Sequence, residues 1–167
     1  MTHAGFYFLE ASMKTVTPAA ELNGFIARFS PEIAAQTHAA LKKMRARLPG
    51  AVEMVYDNYY ALVIGFCPVE QASEVIMSIA VYPGWISLCF FAGDRLPDPQ
   101  KLLRGSGKIA RHIRLEGAAT LDKPAVRALM KAAIENASRP PDRKQAGRIV
   151  IVSVSANPRP RRPKSSG

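Results

Sequence analysis

Cysteine is scarce in this chain: Cys67 and Cys89 are the only two in 167 residues. They lie in separate apolar runs and form no CxxC or Cys/His cluster, the close spacing that thiolate metal ligation needs. Two reduced, packed thiols are expected. Long apolar runs are missing too, and no window approaches the roughly 18 residues that a membrane span requires. Met1–Leu9 has no basic region ahead of its short apolar stretch, which Glu10 interrupts, so no secretory leader is read there. A cytoplasmic protein is expected. His3, His38 and His112 are far apart in sequence, and neither GxSxG nor HExxH occurs. No catalytic residue, metal site or cofactor is signalled.

Positive charge is what the chain does have. The net charge is +10, and from Arg139 onward eight Lys/Arg stand against one acid, Asp142, so +7 of that total falls in the last 29 residues. The remainder is only mildly basic, which weakens any nucleic-acid reading based on the whole protein's charge.

Periodicity sets the organisation. Leu22, Phe25, Ile26 and Phe29 recur at helical spacing. Ser30-Pro31-Glu32 then restarts the chain with a good cap, a first-turn proline and a dipole-matched acid. The second helix turns Ile33, Thr37, Ala40, Leu41, Met44 and Leu48 inward, carries four bases near its end and stops at Pro49-Gly50. From Val52 the period becomes two. Strands are expected at 52–57, 59–66, 75–82, 85–91 and 109–115, with short connections that favour antiparallel pairing. Residues 97–103 are read as one helical turn. Asp122 is expected to cap a last helix bearing Val126, Leu129, Met130, Ala133 and Ile134.

The expected fold is α+β: two N-terminal helices, a five-stranded mainly antiparallel sheet, and a C-terminal helix packed on the same face. Residues 1–17 read as an N-terminal extension, 18–138 as the domain, and 139–167 as a basic Pro/Arg-rich tail. Within the tail, 149–154 is β-prone enough to add a strand, while the stretch from Asn157 on is expected to be disordered.

Arg47-Leu48-Pro49-Gly50-Ala51-Val52-Glu53, Trp85-Ile86-Ser87-Leu88-Cys89-Phe90-Phe91 and Gly105-Ser106-Gly107-Lys108-Ile109-Ala110-Arg111-His112-Ile113-Arg114-Leu115, placed among these elements, carry a resemblance. Together they resemble the YdhG-like domain family, a bacterial domain of unknown function grouped with YjbR-like and frataxin-like (CyaY-like) proteins. The resemblance covers about residues 20–138. It implies helices on one face of an antiparallel sheet and no particular chemistry. Some relatives carry an iron-chaperone label, but hard cations take clustered carboxylates, and the first two helices offer only Glu21 and Glu32.

Candidate binding residues gather in the basic segment. Gly105-Ser106-Gly107-Lys108 is a Gly-rich turn able to aim backbone N–H groups at an anion. Lys101, Arg104, Arg111 and Arg114 flank it, with no acid from 101 to 115. It is not a nucleoside-triphosphate loop, because the spacing differs and a strand follows. Strand alternation puts Trp85 on the sheet face away from the helices, where it marks a ligand cleft, a dimer surface or a place covered by residues 1–17 or 147–155. Tyr56, Asp57, Asn58, Tyr59 and Tyr60 read as strand packing and turn. The expectation is a non-enzymatic module binding a small anionic ligand or a protein partner through Trp85, Arg104, Gly105, Ser106, Gly107, Lys108, Arg111 and Arg114. Frataxin-like iron handling is one alternative. Weak, salt-sensitive nucleic-acid association through the tail is another, limited by the tail's lack of aromatics for base stacking.

Overall fold

The computed structural model describes residues 15–164. Thr17, whose side chain accepts from the Ala20 amide, and Pro18 in the first turn start α1 (Pro18–Ala27). Ser30 does the same for α2 (Pro31–Arg47) by accepting from the Ile33 amide at 3.3 Å. Five strands follow: β1 (Val52–Asp57), β2 (Leu62–Cys67), β3 (Met77–Val81), β4 (Ile86–Phe90) and β5 (Arg111–Leu115). The chain then forms α3 (Pro124–Asn136) and β6 (Arg148–Val154).

All six strands form one sheet in the order β5-β4-β3-β2-β1-β6. The neighbours from β1 to β5 are antiparallel, and β6 runs parallel to β1. The helices share one side of it. Phe25, Ile26 and Phe29, then Leu41 and Met44, then Leu129 and Met130 join the inward residues Leu62, Ile64, Phe66, Ile79, Leu88 and Ile113 in a single core. Each fully buried side chain of this size contributes roughly 1.5–3 kcal/mol relative to exposure.

The expected five strands become six. α3 packs on the helix side, and the chain between β5 and β6 travels from one sheet edge to the other. β6 therefore enters alongside β1 in the same direction, with Ile149 and Ile151 against the helix-side core and Val150 on the opposite face. It lies in the plane of the sheet and does not cover the face bearing Trp85. At the centre of that face, Met54, Cys67, Ser78, Ala80 and Ser87 are all buried.

Three local expectations are also corrected. Residues 97–103 form no helical turn; the Asp98 carboxylate accepts from the Leu102 and Leu103 amides, both at 2.8 Å, a side-chain competitor for the backbone. Lys123, without a side-chain cap bond, precedes α3, while the Asp122 carboxylate bonds Lys43 and Arg47 of α2, each at 2.6 Å. The third correction concerns the tail, where the expected disorder is not found over residues 157–164: Arg161 is buried, as is Pro141 nearer the tail's start. Gly50 is one reason the chain can pack there. Its φ of +83° suits glycine, and a Cβ would lie 1.9 Å from the Asp142 carbonyl oxygen. Residues 1–14 and 165–167, most of the expected extension and the tail's end, lie outside the described residues.

Candidate functional site

The basic segment is a closed loop. Arg104 and His112 exchange backbone hydrogen bonds at 2.8 and 2.9 Å, and residues 105–111 bulge out between them. Gly105 adopts φ +115°. Ser106, Gly107 and Lys108 are exposed. Arg111 acts as the clasp: its guanidinium donates to the Ala110 carbonyl at 2.7 Å and to the Gly107 carbonyl, and its stem packs on Gly93.

Arg114 lies elsewhere. Alternation along β5 turns it to the face opposite Arg111, and pairing sets it beside Ser87. The loop adjoins the Arg111 end of β5, whereas Trp85 precedes Ile86, which pairs with Leu115 at the other end, about 13 Å away along the strand. The structure therefore joins Trp85 with Arg114 and sets Arg104, Gly105, Ser106, Gly107, Lys108 and Arg111 apart from them.

Around Trp85 a small aromatic corner is built. The Tyr82 amide donates to the Trp85 carbonyl at 2.9 Å across the Pro83-Gly84 turn. The two rings stack at 4.7 Å with 16° between their planes. The Arg114 guanidinium carbon lies 5.4 Å from the Trp85 ring centre, with no carboxylate in ion-pairing reach among the described residues. An open cleft of about 710 Å³ adjoins this corner, bounded by Ser30, Glu32 and Gln36 of the α2 region, Glu116, and Pro163 of the tail. Burial raises the Tyr82 hydroxyl pKa, Cys89 adds to this, and the charge of Arg159 opposes it.

The tail folds back over the β1–β2 turn, and Arg159 settles there beside Tyr60. The Ser155 amide donates to the Asp57 carbonyl and the Arg159 amide to the Tyr59 carbonyl. Arg159 Nε donates to the Tyr60 carbonyl at 3.1 Å, and its guanidinium lies 5.5 Å from the Tyr60 ring centre. Arg161 is the anchor. Its side chain is 2% exposed and pairs at 2.8 Å with the Asp57 carboxylate, itself 1% exposed. It also donates to the Asn58 and Tyr59 carbonyls and lies over Phe29. Arg28 holds the other Asp57 oxygen at 3.1 Å.

Sequence reasoning read Tyr60 as strand packing, whereas it precedes β2 and is exposed, and it missed Tyr82, Arg159 and this anchor. One signal was present: Glu53, Val55 and Asp57 alternate onto one face, so a strand burying Val55 also buries two carboxylates that need cations. Glu53 receives its cation from Arg45, through two bonds of 2.8 Å.

Neither cysteine is an activated thiol. Burial pushes the Cys67 thiol up to about 11, and burial also raises Cys89, against a hydrogen bond from Ser78. No three His, Cys, Asp or Glu side chains converge as metal ligands among the described residues. A more apolar groove of about 480 Å³ lies between Phe91, Ile109 and the end of α3, and its Glu74 is already held by Arg139 and Ser138. No helix of the described residues is long and apolar enough to cross a membrane. No family model, curated protein or solved structure matches this chain.

Proposed function

We propose that this chain is a non-enzymatic binding module of the YdhG-like kind, taking a small anionic ligand with a planar group at the Trp85–Arg114 corner. The observation that supports the reading is the combination of a stacked Tyr82–Trp85 pair with an exposed guanidinium that has no acid partner among the described residues. An aromatic face holds a planar ring, the guanidinium takes the anion through charge-assisted hydrogen bonds, and the cleft gives both room. The loop at Gly105–Lys108 is left out of this site, because β5 separates the two. The iron-handling alternative has less support: the buried carboxylates Glu53 and Asp57 are already paired with arginines.

Trp85 is the only tryptophan, so its fluorescence reports the site directly. Titration with nucleoside monophosphates, aromatic carboxylates and inorganic phosphate should give saturable quenching by the planar anions. Arg114→Ala should weaken it about tenfold, the scale of a lost hydrogen bond to a charged group. Arg111→Ala should leave it unchanged. If no planar anion quenches Trp85, or Arg114→Ala alters no response, the reading is wrong.

A further inference from the structure

The strand register aligns Asp57, Leu62, Val81, Ile86 and Leu115 across the sheet, with Val154 opposite Asp57 on the outer edge. The β1–β2 turn, the β3–β4 turn, the end of β5 and the exit of β6 thus share one end of the molecule. The basic tail leaves β6 at that end and is pinned there by Arg161. Aromatic rings and guanidinium groups therefore alternate along it. Tyr59 and Tyr60 meet edge to face at 4.8 Å, and Arg159 lies over Tyr60. Tyr82 stacks on Trp85, which Arg114 overlies. Tyr60 is 65% exposed and Trp85 38%.

Building on the reading of Trp85–Arg114 as a ligand site, we infer that this end of the sheet binds single-stranded nucleic acid. One base stacks at Trp85 and another at Tyr60, each in the place its arginine now holds, and Arg114 and Arg159 take the phosphates beside them. Base–aromatic stacking is tolerant of sequence because every base has a π-face, and guanidinium groups between the rings match the charge of the backbone. The tail alone has no aromatics. The fold supplies them from two turns, and Arg162 and Lys164 follow in the same segment. Of the acids at this end, Asp57 is buried against Arg161 and Arg28, and Glu32 and Glu116, which line the cleft at the Trp85 side, pair with neither Arg114 nor Arg159 among the described residues. A single strand fits this surface better than a duplex, whose bases are already stacked and offer no face to Tyr60 or Trp85.

The test uses the full chain, fluorescein-labelled dT12 and U12, the mononucleotide UMP, a 12-base-pair duplex and heparin, read by anisotropy and Trp85 fluorescence. The single strands should quench Trp85 and bind at least tenfold more tightly than the duplex, with affinity falling as salt rises from 50 to 200 mM. Tyr60→Ala should weaken dT12 by about 5- to 140-fold, the range that stacking of one base implies, and leave UMP quenching unchanged. Tyr60→Phe, which keeps the ring, should restore dT12 binding, so a loss through misfolding is separated from a loss of stacking. If the duplex or heparin binds as tightly as dT12, or Tyr60→Ala has no effect on dT12, the inference is overturned while UMP quenching still supports the small-ligand site. If neither UMP nor dT12 perturbs Trp85, both readings fall.

Discussion

Replacing Arg161 by alanine is expected to remove about 3 kcal/mol of stability. The guanidinium is buried against an equally buried carboxylate at 2.8 Å and donates further to two turn carbonyls. Removing one member of a buried pair typically costs about 3–5 kcal/mol, because the other charge is left without its partner. Two features hold the estimate to the lower end. Arg28 still reaches the second Asp57 oxygen from a half-exposed position, and Arg161 Nε is buried with no hydrogen-bond partner among the described residues, so part of its desolvation is already uncompensated. With a urea m-value of about 2 kcal/mol/M, the midpoint should fall by roughly 1.5 M. The assay is urea unfolding followed by Trp85 fluorescence and by circular dichroism together. Arg161→Lys should fall between the two, since a lysine keeps the charge and loses the planar fork. Arg162→Ala, an exposed neighbour that among the described residues bonds only the Arg28 carbonyl, should stay within about 0.5 kcal/mol. A double-mutant cycle with Asp57→Asn should give a coupling energy above about 1 kcal/mol. A midpoint shift below about 0.3 M for Arg161→Ala would refute the reasoning, because the tail's anchor would then add little to stability.

Two glycines should respond in opposite directions. Gly50→Ala combines a positive φ with a Cβ driven into the Asp142 backbone and should cost about 3 kcal/mol, whereas Gly24→Ala, in α1 with nothing within 4 Å, should stabilise by about 0.5–1 kcal/mol; thermal melts of both check this. With its thiol pushed up to about 11, Cys67 should have only about 0.1% thiolate at pH 8 and should react with a disulfide reagent no faster than the protein unfolds; rapid labelling of Cys67 would contradict this. Asp122 titrates below its ordinary value of 3.8, chiefly through its hydrogen bond from Lys43. A depressed carboxylate adds stability above the unfolded value, and that stability is lost as pH falls through the folded value. Asp122→Asn should therefore narrow the stability difference between pH 5 and pH 2, and a carboxyl NMR titration should place the Asp122 midpoint below 3.8.

Much of this structure was legible in the residues. Helical spacing of Leu22, Phe25, Ile26 and Phe29 marked a buried stripe, and Ser30-Pro31 marked the second helix start, because capping and amphipathic burial are local matters settled within one or two turns. Alternation through Ile86, Leu88 and Phe90 chose the core face of β4 for the same reason: in a strand, parity alone decides which side faces the helices. Position across the sheet is different. Whether 149–154 paired at all, and with which strand in which direction, depended on a partner nearly 100 residues away, as did the seat of Arg161 on Asp57. The chain by itself therefore determined an α+β set of elements, two inert thiols and a basic C-terminal segment. Only the tertiary structure split the glycine-rich loop from Trp85, turned a Pro/Arg tail into a packed strap, and set Arg159 over Tyr60 and Arg161 on Asp57 in a distant turn. Those groupings follow from strand register and a buried ion pair, and both are contacts between residues far apart in sequence.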